Sequence, residues 1–221
     1  MDETRLQLWG IPFLQVQHVD ARHKNSRTPI EATDESDLGT SYGNKLWFYE
    51  SLKGLARLDA HLVNADRQML GLKELGPEYA DARTDQITLS GLWLMGSYEW
   101  LRTFKARLVE AKHPEKKQFI QLCDKFGSVR IPLAKFEPQG AHRNKKVGGY
   151  SIARPGVSRS GTGWVVDKGV FVSRLELSNQ LITALTEFDP FPGVEPLIPM
   201  RASKPLDLPE FLCDEPWPHI A

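Results

Sequence analysis

The chain has 221 residues, 41% of them hydrophobic and 25% charged, enough to bury a sizeable core without disulfides or metals. The segment Met1-Asp2-Glu3-Thr4-Arg5-Leu6 carries neither the basic nor the apolar region of a signal peptide. No apolar run reaches the roughly 18 residues of a membrane span, so a cytoplasmic protein with no membrane association is expected. Two cysteines, Cys123 and Cys213, read as reduced thiols, with Cys123 in a helix core.

Basic and acidic residues balance at 28 each, but unevenly along the chain. Ten basic residues fall between Lys125 and Arg174 (Lys125, Arg130, Lys135, Arg143, Lys145, Lys146, Arg154, Arg159, Lys168 and Arg174), against two acids, Glu137 and Asp167. That segment is therefore +8 and the remainder −8. Such asymmetry points to a polyanion-facing surface. The plainer alternative is neutralisation by the acidic remainder, within the chain or across a dimer.

Residues Leu6 to Val16 alternate in part, and Pro12 argues against a central strand, so an edge strand or extended arm is expected. Asp20 to Gly43 is polar and turn-rich and reads as loop. Lys45 to Leu70 is the first clear helix, with Phe48, Leu52, Leu55, Leu62 and Met69 on its stripe and Gly71 as its stop. Asp59 and Asp66 share that stripe. Paired acids there suit a metal, but no partner motif accompanies them, and polar contacts or a place at the stripe's edge are the plainer readings.

Asp85 to Ala111 reads as a second, central helix, capped by Thr84 or Asp85. Glu99 sits in its apolar run and needs a partner, either Arg102 or a residue of a neighbouring helix. His113-Pro114 ends it. A third helix is expected from Glu115 to Phe126, after which Pro132 kinks it or starts a new segment. Gln139 to Gly163 reads as a long loop. Gly163 to Val172, turning at Asp167-Lys168-Gly169, reads as a hairpin, with Tyr150 to Ala153 as a further pairing strand. The fourth helix spans Ser173 to Phe188, with Ser173 and Glu176 at capping-box spacing. Eight of the fifteen prolines fall in the last 33 residues, a tail expected to be extended.

Motifs for several chemistries are missing from the sequence: the phosphate-binding Gly-x-x-x-x-Gly-Lys loop, Cys-x-x-Cys, His-Glu-x-x-His and the Gly-x-Ser-x-Gly elbow. No metal and no cofactor are expected. Gly161-Thr162-Gly163 is explained by turn chemistry. His142-Arg143-Asn144-Lys145-Lys146, with Arg154 and Arg159, is a candidate nucleic-acid-binding stretch, and Tyr150 and Trp164 are candidate stacking surfaces beside it.

Arg130-Ile-Pro-Leu-Ala-Lys135-Phe-Glu137 resembles the signature region of the HEPN superfamily, compact four-helix domains of prokaryotic toxin, abortive-infection and RNase systems. Their pattern is an arginine, often followed by a polar residue, with a histidine four to six residues on. The order of two long helices, a motif-bearing third, a basic loop and hairpin and a final helix is also similar over about residues 45–188. The chain departs from the pattern at Ile131, in the polar position, and at Lys135, where histidine is expected. The resemblance implies a metal-independent RNase in which Arg130 holds the scissile phosphate, Lys135 assists and His142 serves as the nearest histidine. Lysine is a poor general base unless strongly desolvated. On a straight helix Lys135 lies roughly 140° from Arg130. Arg130 shares a face with Glu137, so pairing with Glu137 or Glu99 is the structural alternative.

The expected fold is therefore mainly α: an up-down four-helix bundle of the HEPN-like kind, with a small β-hairpin before the last helix and extended terminal arms. Residues 1–44 form the N-terminal arm and loop, 45–188 the bundle with a hairpin insertion at 147–172, and 189–221 the Pro-rich tail. The expected function is RNA binding or RNA cleavage of a bacterial defence or toxin–antitoxin type. The alternative is a catalytically inactive bundle serving protein–protein assembly. Catalysis would fall to Arg130, Lys135 and His142, and nucleic-acid binding to Arg143, Lys145, Lys146, Arg154 and Arg159. Glu99, Arg102 and Glu137 would be supporting residues. RNA, a second copy or another protein is the expected partner, the homodimer by resemblance alone.

Overall fold

The computed structural model describes residues 2–13, 16, 35–72, 76–136 and 152–190. Among them the chain is mainly helical, with one small antiparallel sheet. In chain order the elements are α1 (Glu3–Leu8), α2 (Glu35–Leu70), α3 (Pro77–Glu110), α4 (Lys116–Lys135), β1 (Arg154–Ser158), β2 (Gly161–Asp167), β3 (Val170–Ser173) and α5 (Arg174–Thr186). No helix of the described residues is long and apolar enough to cross a membrane.

The N-terminal segment is helical rather than an edge strand or extended arm. Asp2 caps α1 by accepting from Arg5 N at 3.1 Å. Leu6 and Trp9, three residues apart, are both buried, so helical spacing outweighs the partial alternation. Residues 35–43, part of the expected loop, belong to α2, which begins ten residues before Lys45.

α2 and α3 run antiparallel. Trp100 Nε1 donates to Phe48 O at 3.1 Å and Gln86 Nε2 donates to Leu62 O at 2.8 Å. An advance from 48 to 62 on α2 thus matches a retreat from 100 to 86 on α3. α3 starts earlier than a Thr84 or Asp85 cap would place it. Gly76 is the cap and Pro77, preorganised for a first helical turn, follows it. Thr84 instead donates its hydroxyl to Ala80 O at 2.9 Å. At the other end Lys112 is left-handed (φ 52°), His113 N bonds Leu108 O and Lys112 N bonds Val109 O, a Schellman ending.

α4 does not stop at Phe126. It runs unbroken through Gly127, Ser128 and Pro132 to Lys135 and ends on a left-handed Phe136. Pro132 lacks the N–H that would bond the preceding turn. It is nonetheless buried, along with Phe126, Gly127 and Val129, so packing of this face carries the helix past the break. The result is a single rod on which Arg130 and Lys135 are both helical.

The β2–β3 hairpin has a two-residue turn at Lys168-Gly169, with Gly169 left-handed at φ 73°. The third strand is 154–158, and it pairs with β2 from Arg154↔Val165 to Ser158↔Gly161; Ile152 and Ala153 precede it, and Tyr150 and Ser151 lie outside the described residues. α5 follows β3 directly. Ser173 is at its N-cap but makes no capping bond; its hydroxyl donates to Ser160 O at 3.3 Å instead.

The core is aromatic on one side and ionic on the other. Phe48 stacks on Trp100 at 4.8 Å, Trp100 on Phe104 at 5.1 Å, and Phe104 meets Phe119 and Phe188 edge-on at 5.0 and 5.4 Å. On the ionic side, Arg174, wholly buried at the start of α5, donates to Asp59 Oδ1 at 2.8 Å and to Asp66 Oδ2 at 2.9 Å. Arg5 Nε and Trp9 Nε1 donate to Asp59 Oδ2 at 2.6 and 3.1 Å. Thr162 donates to Asp66 Oδ1 through its N–H and its hydroxyl, at 3.1 and 2.9 Å. Two arginines against two aspartates make the group neutral. It pins α1, β2 and α5 to one face of α2. Of the two plainer readings of Asp59 and Asp66, polar contacts are what is found, and both residues are buried rather than at the edge of the stripe; neither joins a group of three or more metal-ligating side chains among the described residues.

Candidate functional site

The site begins with the packing of α4 against α3. Trp93 meets Phe126 at 5.9 Å and Leu133 lies against Gly91. This contact brings Arg130 alongside Tyr98 and Glu99. The Arg130 guanidinium sits 5.0 Å from the Tyr98 ring centroid. Arg130 Nη2 donates to Glu99 Oε1 at 3.1 Å, while Arg102 Nε donates to Glu99 Oε2 at 2.8 Å. One carboxylate thus holds two cations. Glu99 is half-exposed, and the partly buried Arg130 side chain is 22% accessible, so a ligand reaches its edge but not its whole fork. Arg130 Nε is buried and has no partner among the described residues. Burial raises the Tyr98 phenol above its ordinary value, with the Cys123 thiol adding to the effect and Arg130 opposing it.

Of the two partners expected for Glu99, the structure supplies both. Of the two expected for Arg130, Glu99 is present; Glu137 lies outside the described residues, as do His142, Arg143, Lys145, Lys146 and Tyr150. Lys135 is exposed in the last turn of α4. The described histidines lie apart from this group. His61 is exposed on α2, and His113 packs on Phe188 at 4.8 Å with its Nε2 3.1 Å from Asp189 O.

The sheet separates the remaining candidates. Arg154 is exposed where β1 begins and Arg159 is exposed in the β1–β2 turn. Arg159 lines a cleft with α1, α2 and α5 to which no α4 residue contributes, so Arg130 and Arg159 do not share a cavity. Trp164 is 1% exposed and packs in the core, which rules it out as a stacking surface for a base. Among the described residues of the basic segment, at least three cations are paired with carboxylates. Arg174 is held by Asp59 and Asp66, Arg130 by Glu99, and Lys125 Nζ by Glu176 at 2.6 Å.

The ionic core involves residues that the sequence pattern did not single out. Asp59 and Asp66 are visible as a pair seven apart, but Arg5, Trp9 and Thr162 come from segments distant in sequence. The one available signal was Gly161-Thr162. Gly161 has φ 89°, and a side chain there would run into the Asp66 carboxylate. That glycine marks a close backbone approach as well as a turn.

Comparison with protein-family models, with curated proteins and with solved structures finds no match to the chain.

Proposed function

We propose that this chain is a HEPN-like RNA-binding protein of a bacterial defence or toxin–antitoxin type, acting in the cytoplasm. In this reading α2 to α5 form an up-down four-helix bundle, with the sheet inserted before the last helix. The antiparallel course of α2 and α3 and the packing of α4 on α3 support that arrangement. The observation that carries the reading is Arg130. It stands on the motif helix with one edge accessible, oriented by Glu99 and by the Tyr98 ring. From Arg130 the chain runs through exposed Lys135 into Arg143, Lys145 and Lys146. These, with Arg154, would follow an RNA backbone, each cation neutralising a phosphate.

Metal-independent cleavage is the enzymatic form of the same reading. Arg130 would bind the scissile phosphate while the ribose 2′ oxygen attacks phosphorus and the P–O5′ bond breaks, and His142 would take the 2′-hydroxyl proton and return a proton to the departing 5′ oxygen. Lys135 would then stabilise charge on the phosphate rather than act as base. Incubation with single-stranded RNA and a chelator is expected to leave cyclic-phosphate ends. RNA recovered intact removes cleavage. For binding, Arg143→Ala/Lys145→Ala/Lys146→Ala is expected to weaken RNA affinity strongly and to make its salt dependence shallower, and an unchanged affinity removes this surface.

A second reading is favoured by Glu99 itself. A carboxylate within hydrogen-bond distance of Arg130 competes with phosphate, as expected of a catalytically inactive bundle that assembles with a protein, or with a second copy of itself. Absence of RNA binding at low salt, together with a sedimentation mass above that of the monomer, would select it.

A further inference from the structure

A cleft of about 510 Å³ opens beside the ionic core, between α1, the end of α2, the β1–β2 turn and the start of α5. Its volume falls within the range of roughly 300–1,000 Å³ that small-molecule sites occupy. Leu8, Val63, Leu70 and Leu175 line it, and Leu8 and Leu70 stay 50% and 51% exposed at its edge. Side chains this apolar on a rim lose nothing by meeting hydrocarbon and gain by leaving water.

The charged lining consists of three arginines and two aspartates. Asp66 is held by Arg174 and Thr162. Arg5 spends its donors on Asp59, Asn179 and Ser178. Arg67 Nη1 donates to Asp2 Oδ2 at 2.6 Å. Arg159 alone of the three has no hydrogen bond or ion pair among the described residues. The single excess positive charge of the cleft is therefore localised at one side chain on its edge.

We infer that this cleft binds a small monoanionic amphiphile, a carboxylate on a hydrocarbon chain. The carboxylate would meet Arg159 in a charge-assisted, bidentate contact. The chain would lie over Leu8, Val63 and Leu70. A phosphate dianion fits less well, because one uncommitted cation must then offset two charges with Asp2 and Asp66 nearby. A nucleotide fits less well too, since no aromatic ring among the described residues lines the cleft to stack a base. The ionic core fixes the floor in advance, which lowers the ordering cost of binding. The inference does not rest on the RNA reading; it assigns Arg159, one of the expected nucleic-acid-binding residues, to a different ligand.

The test is calorimetric titration of the full chain with decanoate below its micellar concentration. Decanoate is expected to bind saturably, one per chain. Decanol is expected to bind about tenfold more weakly or worse, and Arg159→Ala to weaken decanoate by a similar factor. Leu8→Gln is expected to weaken both ligands. Both substitutions are at exposed positions, so unchanged melting temperatures show that the fold is retained. Uridine monophosphate is expected not to displace decanoate. The inference is overturned by any of four results: no saturable decanoate binding, equal affinity for decanol, no effect of Arg159→Ala, or displacement by uridine monophosphate.

Discussion

Glu99 on α3 receives Arg130 from α4 on one oxygen, at 3.1 Å, and Arg102 from its own helix on the other, at 2.8 Å. The pair is partly solvated, so its contribution to folding is small, while its effect on the charge that Arg130 presents is direct. Glu99→Gln keeps the shape and removes the negative charge. It is expected to strengthen RNA binding severalfold at low salt and to change stability by less than about 1 kcal/mol. Filter binding and urea denaturation check the two parts. Unchanged RNA affinity would mean that Arg130 does not meet the nucleic acid.

The ionic core should behave in the opposite way. Arg174 is fully buried between Asp59 and Asp66, and its removal leaves two carboxylates short of a cation. Arg174→Met is expected to cost about 3–5 kcal/mol. Lys125→Met, which breaks only the solvated pair with Glu176, is expected to cost less than about 1 kcal/mol. Chemical denaturation of the two variants gives the comparison, and similar losses would contradict the structural role assigned to the network.

Two left-handed glycines give a matched pair. Gly161 (φ 89°) packs on the Asp66 carboxylate, whereas Gly169 (φ 73°) has open space around it. Gly169→Ala is expected to cost about 1–2 kcal/mol, the backbone term alone. Gly161→Ala is expected to cost more, because the new methyl displaces Asp66 from Thr162 and Arg174. Equal losses would mean that the carboxylate moves aside freely.

Burial pushes the Cys123 thiol above its ordinary 9.0, against the opposing effect of Lys105, and pushes the Tyr98 phenol above 10.0. For both groups the folded chain keeps a proton that the unfolded chain releases. Their contribution is therefore fully present below the unfolded values and is lost as pH rises through the folded ones. Melting temperature is expected to fall above about pH 9, and Cys123→Ala is expected to flatten the first part of that fall. A melting temperature that does not vary between pH 8 and 10.5 would contradict this.

Long, strongly periodic segments were legible in the sequence. The stripe of Phe48, Leu52, Leu55 and Leu62 marks α2, and the run from Leu89 to Leu108 marks α3. The start of α2 was not legible, because residues 35–43 have loop composition yet are helical. The reach of α4 was hidden by Pro132, whose local penalty is outweighed by the packing of Phe126 and Val129. Within the site, Glu99 and its two arginines follow from the need of a half-buried carboxylate for partners. The union of Asp59, Asp66, Arg5 and Arg174 does not, since four residues from three distant segments carry no local pattern. Arg174 therefore reads as one more cation of the basic segment; a buried, neutralised arginine looks the same in sequence as a free one.

The most direct test of RNA binding is the affinity of the full chain for a single-stranded RNA as a function of salt. Each phosphate neutralised should contribute a slope of about −0.7 to log affinity against log salt. Measurable binding at low salt is expected, with a slope of several such units and a shallower slope for Arg143→Ala/Lys145→Ala/Lys146→Ala. No binding at low salt, or a slope that the triple substitution leaves unchanged, would contradict it.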